Sequence, residues 1–247
     1  MSKKKSAMVV GCGAEQGLGA ALCRKFAAEG FHVYSVGRTL SKLQQIVATL
    51  GEQGFSAEAL EVDVCIEQDI MALFDYCCRD NSEFQPPELV VFNVGNNRHI
   101  DFLSLTVAEQ DAFWRAGCMA GFVVAREALG SMLAQQRGTL LFTGASASLR
   151  GKAGYAHFSA AKAGLRMLSQ SLAREYGPLG IHVAHIIIDG GIEGELMRRD
   201  DPQRFQQAGV DRFLTPDAIA ETYWYLHCQP ACAWTQEIDL RPFAEPF

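Results

Sequence analysis

The eight cysteines of this 247-residue chain include no C-x-x-C pair. Cys228 and Cys232 stand four apart at an expected helix end, with no His/Cys set nearby, so no metal site is expected. A secretory core is also missing: Lys3-Lys4-Lys5 leads only into the short apolar run from Ala7 to Val10. No apolar stretch is expected to span a bilayer. Positive charge is in deficit, 22 Lys+Arg against 28 Asp+Glu, and the net charge of −6 argues against general affinity for nucleic acid or an anionic membrane. No repeat, low-complexity tract or linker-like break divides the chain. These absences point to a single domain over residues 1–247, cytoplasmic, with reduced thiols and a small-molecule substrate.

What is present is an ordinary globular mixture, 49% hydrophobic and 20% charged. Its apolar residues follow two periods. Short apolar or β-branched runs at 7–10, 31–36, 55–62, 89–92, 139–142, 182–188 and 237–240 predict seven strands. Helical spacing covers 20–29, 40–50, 67–78, 106–136, 155–176 and 215–227. Gly30 can cap the first helix, Gly177-Pro178 closes the fifth, and Thr215-Pro216 starts the last. Strands alternating with helices predict the α/β class: a Rossmann-like, doubly wound parallel sheet of about seven strands with helices on both faces. Ligands of such sheets lie beyond the carboxyl ends of the strands. The turns at 11–19, 37–38, 63–64, 93–95, 143–146 and 189–192 all follow strand ends and should gather at that edge. The stretch 190–214, polar and without a period from 193, should cover the crevice.

The first of these turns, Gly11-Cys12-Gly13-Ala14-Glu15-Gln16-Gly17-Leu18-Gly19, sits between a strand and a helix. In that setting a glycine cluster binds phosphate. Gly13 is expected to turn the chain sharply, Gly17 to admit a pyrophosphate, and Gly19 to let the helix sit close to the strand. Gly13, Gln16, Gly17, Leu18 and Gly19 are therefore candidate cofactor contacts. At the end of the second strand an acidic residue would accept bonds from ribose hydroxyls. Arg38 stands there instead. Its charge and fork suit a 2′-phosphate, which favours NADP(H) over NAD(H); the alternative is a surface arginine after a strand.

With these turns in order, the chain resembles the short-chain dehydrogenase/reductase family along nearly its whole length. The glycine turn matches T-G-x-x-x-G-x-G, with Cys12 in place of Thr. Phe92-Asn93-Val94-Gly95 is similar to N-N-A-G, and Asp189-Gly190-Gly191-Ile192 stands where P-G-x-V or P-G-x-I is usual. The resemblance implies an oxidoreductase. It places Asp63 and Val64 beside the adenine, Asn93 and Gly95 in the cofactor site, and the backbone of Ile192 against the nicotinamide amide. It also implies a homodimer or homotetramer, paired through the fourth and fifth helices and the last strand.

The family's catalytic set is Asn, Ser, Tyr and Lys, with Y-x-x-x-K on the fifth helix. Here that stretch reads Phe158-Ser159-Ala160-Ala161-Lys162. The Ser position falls on Ala145 and the Asn position on Cys118. Only Lys162 remains, with cofactor-ribose binding as its implied role. Phenylalanine has no hydroxyl and cannot exchange a proton. Tyr155 lies seven residues before Lys162, close to two helical turns and about 4.5 Å farther along the axis than the lost hydroxyl. It either supplies the proton through a water or packs at the helix start. Ser146 either replaces the family serine or bonds its own turn. Ser159 is a poor acid, and His157 points elsewhere on the helix. The loop Asn96-Asn97-Arg98-His99 either reaches the crevice or is solvated, and Asp189 either caps a turn or faces the nicotinamide. Two functions follow: an NADP(H)-dependent oxidoreductase with an altered proton donor, or a protein that binds NADP(H) as a sensor or partner-supporting subunit and turns over little.

Overall fold

Strands that are apolar at every position need cover on both faces, and the chain supplies it. The computed structural model describes residues 3–79, 83–95, 97–194 and 212–244. Among them are nine strands: β1 (Ser6–Val10), β2 (His32–Gly37), β3 (Ala57–Glu61), β4 (Leu89–Phe92), β5 (Gly138–Thr143), β6 (Ile181–Ile188), β7 (Gly191–Ile192), β8 (Phe213–Leu214) and β9 (Glu237–Leu240). Seven form one parallel sheet in the order β3-β2-β1-β4-β5-β6-β9, while β7 and β8 pair separately, also in parallel. The strand order reverses between β1 and β4, which opens the crevice expected of a doubly wound sheet.

The helices are α1 (Leu18–Ala28), α2 (Leu40–Glu52), α3 (Glu67–Cys78), α4 (Val107–Trp114), α5 (Ala120–Gln135), α6 (Ala156–Tyr176) and α7 (Pro216–His227). β1 shows why both faces must be covered. Ala7 and Val9 join one core with Leu22, Phe26, Leu43 and Tyr223, from α1, α2 and α7. Met8 and Val10 point the other way, into a core with Val124, Phe142 and Leu165. Alternate side chains of one strand thus feed two cores. Thr106 and Glu109 form a reciprocal capping box that starts α4. Thr215 caps α7 by accepting the Ala218 amide, with Pro216 in the first turn.

Two expectations change. The helix over 106–136 is not uniform: Arg115–Met119 winds as a π turn between α4 and α5. There Gly117 lies against Ala161, and Cys118 against Gly164, so the wider turn lets this helix press onto α6. The span Val107–Gln135 is also long and apolar enough to cross a membrane, contrary to the expectation from sequence, but half of its most apolar window is buried inside the domain. It is a core helix, packed on α3, β5 and α6. Of the 190–214 stretch, residues 195–211 lie outside the described residues, as does Asn96.

One close approach fixes the site's frame. A Cβ added to Gly37 would sit 2.3 Å from the Cys12 carbonyl oxygen, a backbone atom that cannot swing aside. Gly37→Ala should therefore lower unfolding stability by about 2–3 kcal/mol, the cost of overpacking. An unchanged urea midpoint would contradict that contact.

Candidate active site

The left-handed residue of the glycine turn is Gly11, at φ +107°, and not Gly13 as expected from sequence. A side chain at Gly11 would strike the Asn93 backbone at 2.7 Å. The amides of Gly11 and Cys12 both donate to the Val36 carbonyl, at 2.9 and 2.8 Å, which ties the turn to β2. Gly13 faces open space, the approach a phosphate needs. The Gly17 amide donates to Ala14 O at 2.9 Å. Gly17 is the N-cap of α1 and no side chain caps this helix, so no protein side chain competes with an anion there. Gly19 behaves as expected: a Cβ there would meet Cys12 Cα at 2.9 Å. Leu18 is buried beside it. The Gln16 carbonyl lies beneath Gly194, which brings the segment after β7 over the turn.

The other strand ends gather at the same edge. Arg38 is exposed just past β2 and makes no hydrogen bond or ion pair among the described residues. Asp63 accepts the Cys65 amide at 3.0 Å, and Val64 is buried next to it. The Asn93 amide group is already engaged. It donates to Gly11 O at 3.1 Å and accepts from Thr143 Oγ1 at 3.0 Å. Thr143 in turn accepts from the Tyr223 hydroxyl at 2.7 Å, a buried phenol whose pKa burial raises. Asn93 thus acts first as a brace between strand ends. Ile192, in β7, pairs with Leu214.

Lys162 is the centre of the edge. It is 3% exposed, and its ammonium donates to Thr143 O at 2.8 Å and Val94 O at 3.1 Å. Burial pushes its pKa down to about 8. Phe158 lies one turn earlier on α6, its ring centroid 5.9 Å from the Lys162 nitrogen. Between them is a recess of about 10 Å³, near the lower bound for one water, lined by Val94, Gly95, Phe113, Gly117, Phe158 and Lys162. No hydroxyl lines it.

The three polar candidates fare differently. Tyr155 is the N-cap of α6, at φ −130°, so the helical spacing that would align it with Lys162 does not apply. Its ring meets His99 edge-on at 5.6 Å, with the Lys152 ammonium 5.5 Å away. Ser146 is half-buried at the start of a tight turn, where its carbonyl accepts the Leu149 and Arg150 amides. The serine that is held is Ser148, three residues past Ala145. Its hydroxyl accepts the Ala145 amide at 3.1 Å and lies 3.4 Å from His185 Nε2. His157 is buried against Phe113, away from Lys162's partners.

Two ion clusters behind the site escaped the sequence. His185 is fully buried, and burial pushes its pKa down to about 4, so it is neutral. Its Nδ1–H donates to Glu237 at 3.0 Å, which leaves Nε2 to accept from Ser148. Arg166 grips the same carboxylate with two 2.7 Å bonds, and those bonds hold Glu237 below its ordinary pKa. Asp189 is buried and ion-paired to Arg150 at 2.9 Å and Arg241 at 3.2 Å. These pairs make it an anchor between loops. Arg166 and Glu237 lie 71 residues apart, so no local pattern signals their pairing.

The buried ammonium sets a pH dependence. In the unfolded chain Lys162 keeps its proton up to about pH 10.5; in the folded protein it releases it near 8. The unfolded state binds more protons in that window, so stability rises with pH across it. Against Lys162→Met, the wild type should gain about 3 kcal/mol between pH 7 and 10.5. Urea denaturation of both proteins at each pH checks this, and a difference independent of pH would refute it.

Comparison with known proteins agrees with this geometry. Residues 5–204 match the family model for short chain dehydrogenases. The uncharacterized oxidoreductase YuxG of Bacillus subtilis is 28% identical over 225 residues, covering 90% of this chain; the chain spans 32% of that relative's length. A solved short-chain dehydrogenase from Rhodopseudomonas palustris is 37% identical, with a TM-score of 0.83, and covers 98% of this chain and 100% of its own. The L-sorbose reductase of Gluconobacter frateurii, solved with NADPH and L-sorbose, shares the fold at 22% identity and a TM-score of 0.85, covering 98% and 97% of the two chains. From its glycine turn to its buried Lys162, this chain belongs to the short-chain dehydrogenase family, whose members are oxidoreductases.

Proposed function

We propose that this protein is an NADP(H)-dependent oxidoreductase that moves hydride to or from a small substrate without a tyrosine proton donor. The carrying observation is the uncapped start of α1 beside open Gly13, paired with the Phe158 ring one turn before the buried Lys162. The residues fit a dinucleotide. Gly13 opens to solvent, α1 starts without a side-chain cap, and Arg38 has no protein partner among the described residues. Gly17, Leu18 and Gly19 would receive the pyrophosphate, Arg38 the 2′-phosphate, and Asp63 and Val64 the adenine. Lys162 would hold the nicotinamide ribose, and the Ile192 backbone its amide. The NADPH complex of L-sorbose reductase supports the choice of cofactor.

When bound, the nicotinamide supplies or accepts the hydride. The chain's own residues position the reactants and exclude water. Phe158, Phe113 and Val94 give an apolar wall. Lys162, charged at neutral pH, offers the nearest fixed positive charge to an oxygen that gains negative charge. Proton delivery falls to Ser146, to Tyr155, to water or to the substrate itself. The missing hydroxyl also favours a second reading, a sensor or partner-supporting subunit that binds NADP(H) with little turnover. Tight binding with no turnover across a broad carbonyl screen would select it. The setting proposed is the cytoplasm, and the assembly a homodimer or homotetramer. Exposed Phe102, Leu103, Val107, Met119 and Phe122, on the turn before α4, α4, the π turn and α5, support the assembly.

Three outcomes test the proposal. Arg38→Ala should weaken NADPH binding about tenfold and leave NADH unchanged, read by nucleotide fluorescence; equal losses would remove the 2′-phosphate assignment. Phe158→Tyr should raise ketone reduction by about 10²-fold. No gain in a folded variant would mean that the pocket does not take ketones in the family's way. Light scattering at micromolar concentration should give a dimer or tetramer, reduced by Phe122→Glu; a monomeric wild type would sink the assembly.

A further inference from the structure

Beneath the glycine turn, two thiols meet. Cys12 lies in the turn between Gly11 and Gly13, and Cys23 lies in α1. Their sulfurs are 3.5 Å apart and both residues are buried, Cys12 to 7% exposure and Cys23 completely. Cys12 also points its sulfur at Val9 O, 3.3 Å away. Among the described residues both are free. Cys12 stands next to Gly13, where an added Cβ would meet nothing within 4 Å.

We infer that Cys12 and Cys23 form a reversible disulfide that switches off nucleotide binding at this turn. The oxidant is a peroxide. The Cys12 thiolate attacks one peroxide oxygen, the O–O bond breaks, and a sulfenic acid forms with release of water or alcohol. The Cys23 sulfur then attacks the sulfenic sulfur, the S–OH bond breaks, and water leaves. Two thiols are oxidised and one peroxide is reduced; a dithiol reductant reverses the step.

The electrostatics favour this order. Burial works to raise the Cys12 thiol, but the contact with the Cys23 sulfur and the nearby Ser35 and Val36 outweigh it and its pKa comes out lowered. Cys23 is held well above the ordinary thiol value, first because it donates to Cys12 and then by burial. Cys12 is therefore the attacking sulfur and Cys23 the resolving one.

The mechanical effect follows from packing. A disulfide spans about 2.05 Å, so the sulfurs must close by roughly 1.5 Å. The turn has little slack to give. Gly19 is seated against Cys12 Cα, Gly37 against Cys12 O, and the Gly11 and Cys12 amides are bonded to Val36. Drawing Cys12 toward α1 shifts Gly13 and the start of the helix together, the two elements that receive phosphate.

The effect on binding rests on the cofactor reading above; the bond itself does not. The test uses the full chain with the exposed Cys65, Cys228 and Cys232 changed to Ser. Brief hydrogen peroxide should lower its intact mass by two hydrogens, with peptide mapping joining Cys12 to Cys23. NADPH should bind the purified oxidised form at least tenfold more weakly, and dithiothreitol should restore it. Cys23→Ala should show no two-hydrogen loss, and Cys23→Ser serves if that variant is unstable. Saturating NADPH should slow the oxidation. A disulfide elsewhere, no disulfide, or a Cys12–Cys23 disulfide with unchanged NADPH affinity would overturn the inference. If the reduced protein binds no nicotinamide nucleotide at all, the cofactor reading fails and this switch with it, while the mass measurement still decides whether the thiols pair.

Discussion

The amide of Asn93 is the joint on which the site hangs. One end holds the Gly11 carbonyl at the exit of β1, and the other receives the Thr143 hydroxyl at the exit of β5. Thr143 carries the connection further: its hydroxyl meets Tyr223 on α7, and its carbonyl takes a bond from Lys162 on α6. Four segments distant in sequence are thereby fixed around one point. Each group in the chain is buried or half-buried, so a missing partner would leave a polar atom unsatisfied. The cofactor turn and the lysine consequently cannot be adjusted separately. Any change at Thr143 reaches both.

Most of the frame was legible from sequence because it rests on local rules. A wholly apolar run such as Leu89–Phe92 has to be a buried strand, and Gly19 has to be small wherever a helix meets a strand this closely. The seven main strands and the six helical stretches follow from such rules. The placement of candidate residues was legible where it follows from the chain's own elements, as for Gly17 at the start of α1, Arg38 just past β2 and Lys162 on α6. It was not legible where placement depends on long-range partners. Tyr155 looked aligned with Lys162 only if it were helical, and it is the residue at which the helix has not yet begun. Gly13 was given the sharp turn that Gly11 makes, because both fit the pattern and only the approach of Asn93 separates them. Ser148 was passed over for Ser146, since its importance comes from His185, 37 residues away.

The electrostatics around Lys162 differ from what a tyrosine neighbour would provide. Its ammonium is bound by two carbonyls and faces an aromatic ring, and burial alone lowers its pKa. The neutral His185 lies close enough that any charge on it would oppose that of Lys162. Burial keeps His185 uncharged through the physiological range and so protects the lysine's charge. Glu237 and Arg166 sit on the far side and satisfy each other. The chain has thus built a cationic point in an apolar surround, with the polar machinery moved one layer back from the crevice.

The Arg166–Glu237 grip also bears on how the sheet is assembled. β6 is apolar or histidine at all eight positions and is entirely buried once β9 lies beside it. During synthesis β6 emerges long before Glu237, and until then it is a bare edge with a row of unpaired amides and carbonyls. Docking of β9 closes that edge and at the same moment lets Glu237 clamp α6 and orient His185. The bond that steadies the active helix is therefore also the latch on the most aggregation-prone strand of the fold. A lesion in the last strand would be felt first as insolubility during folding, and only afterwards as lost chemistry.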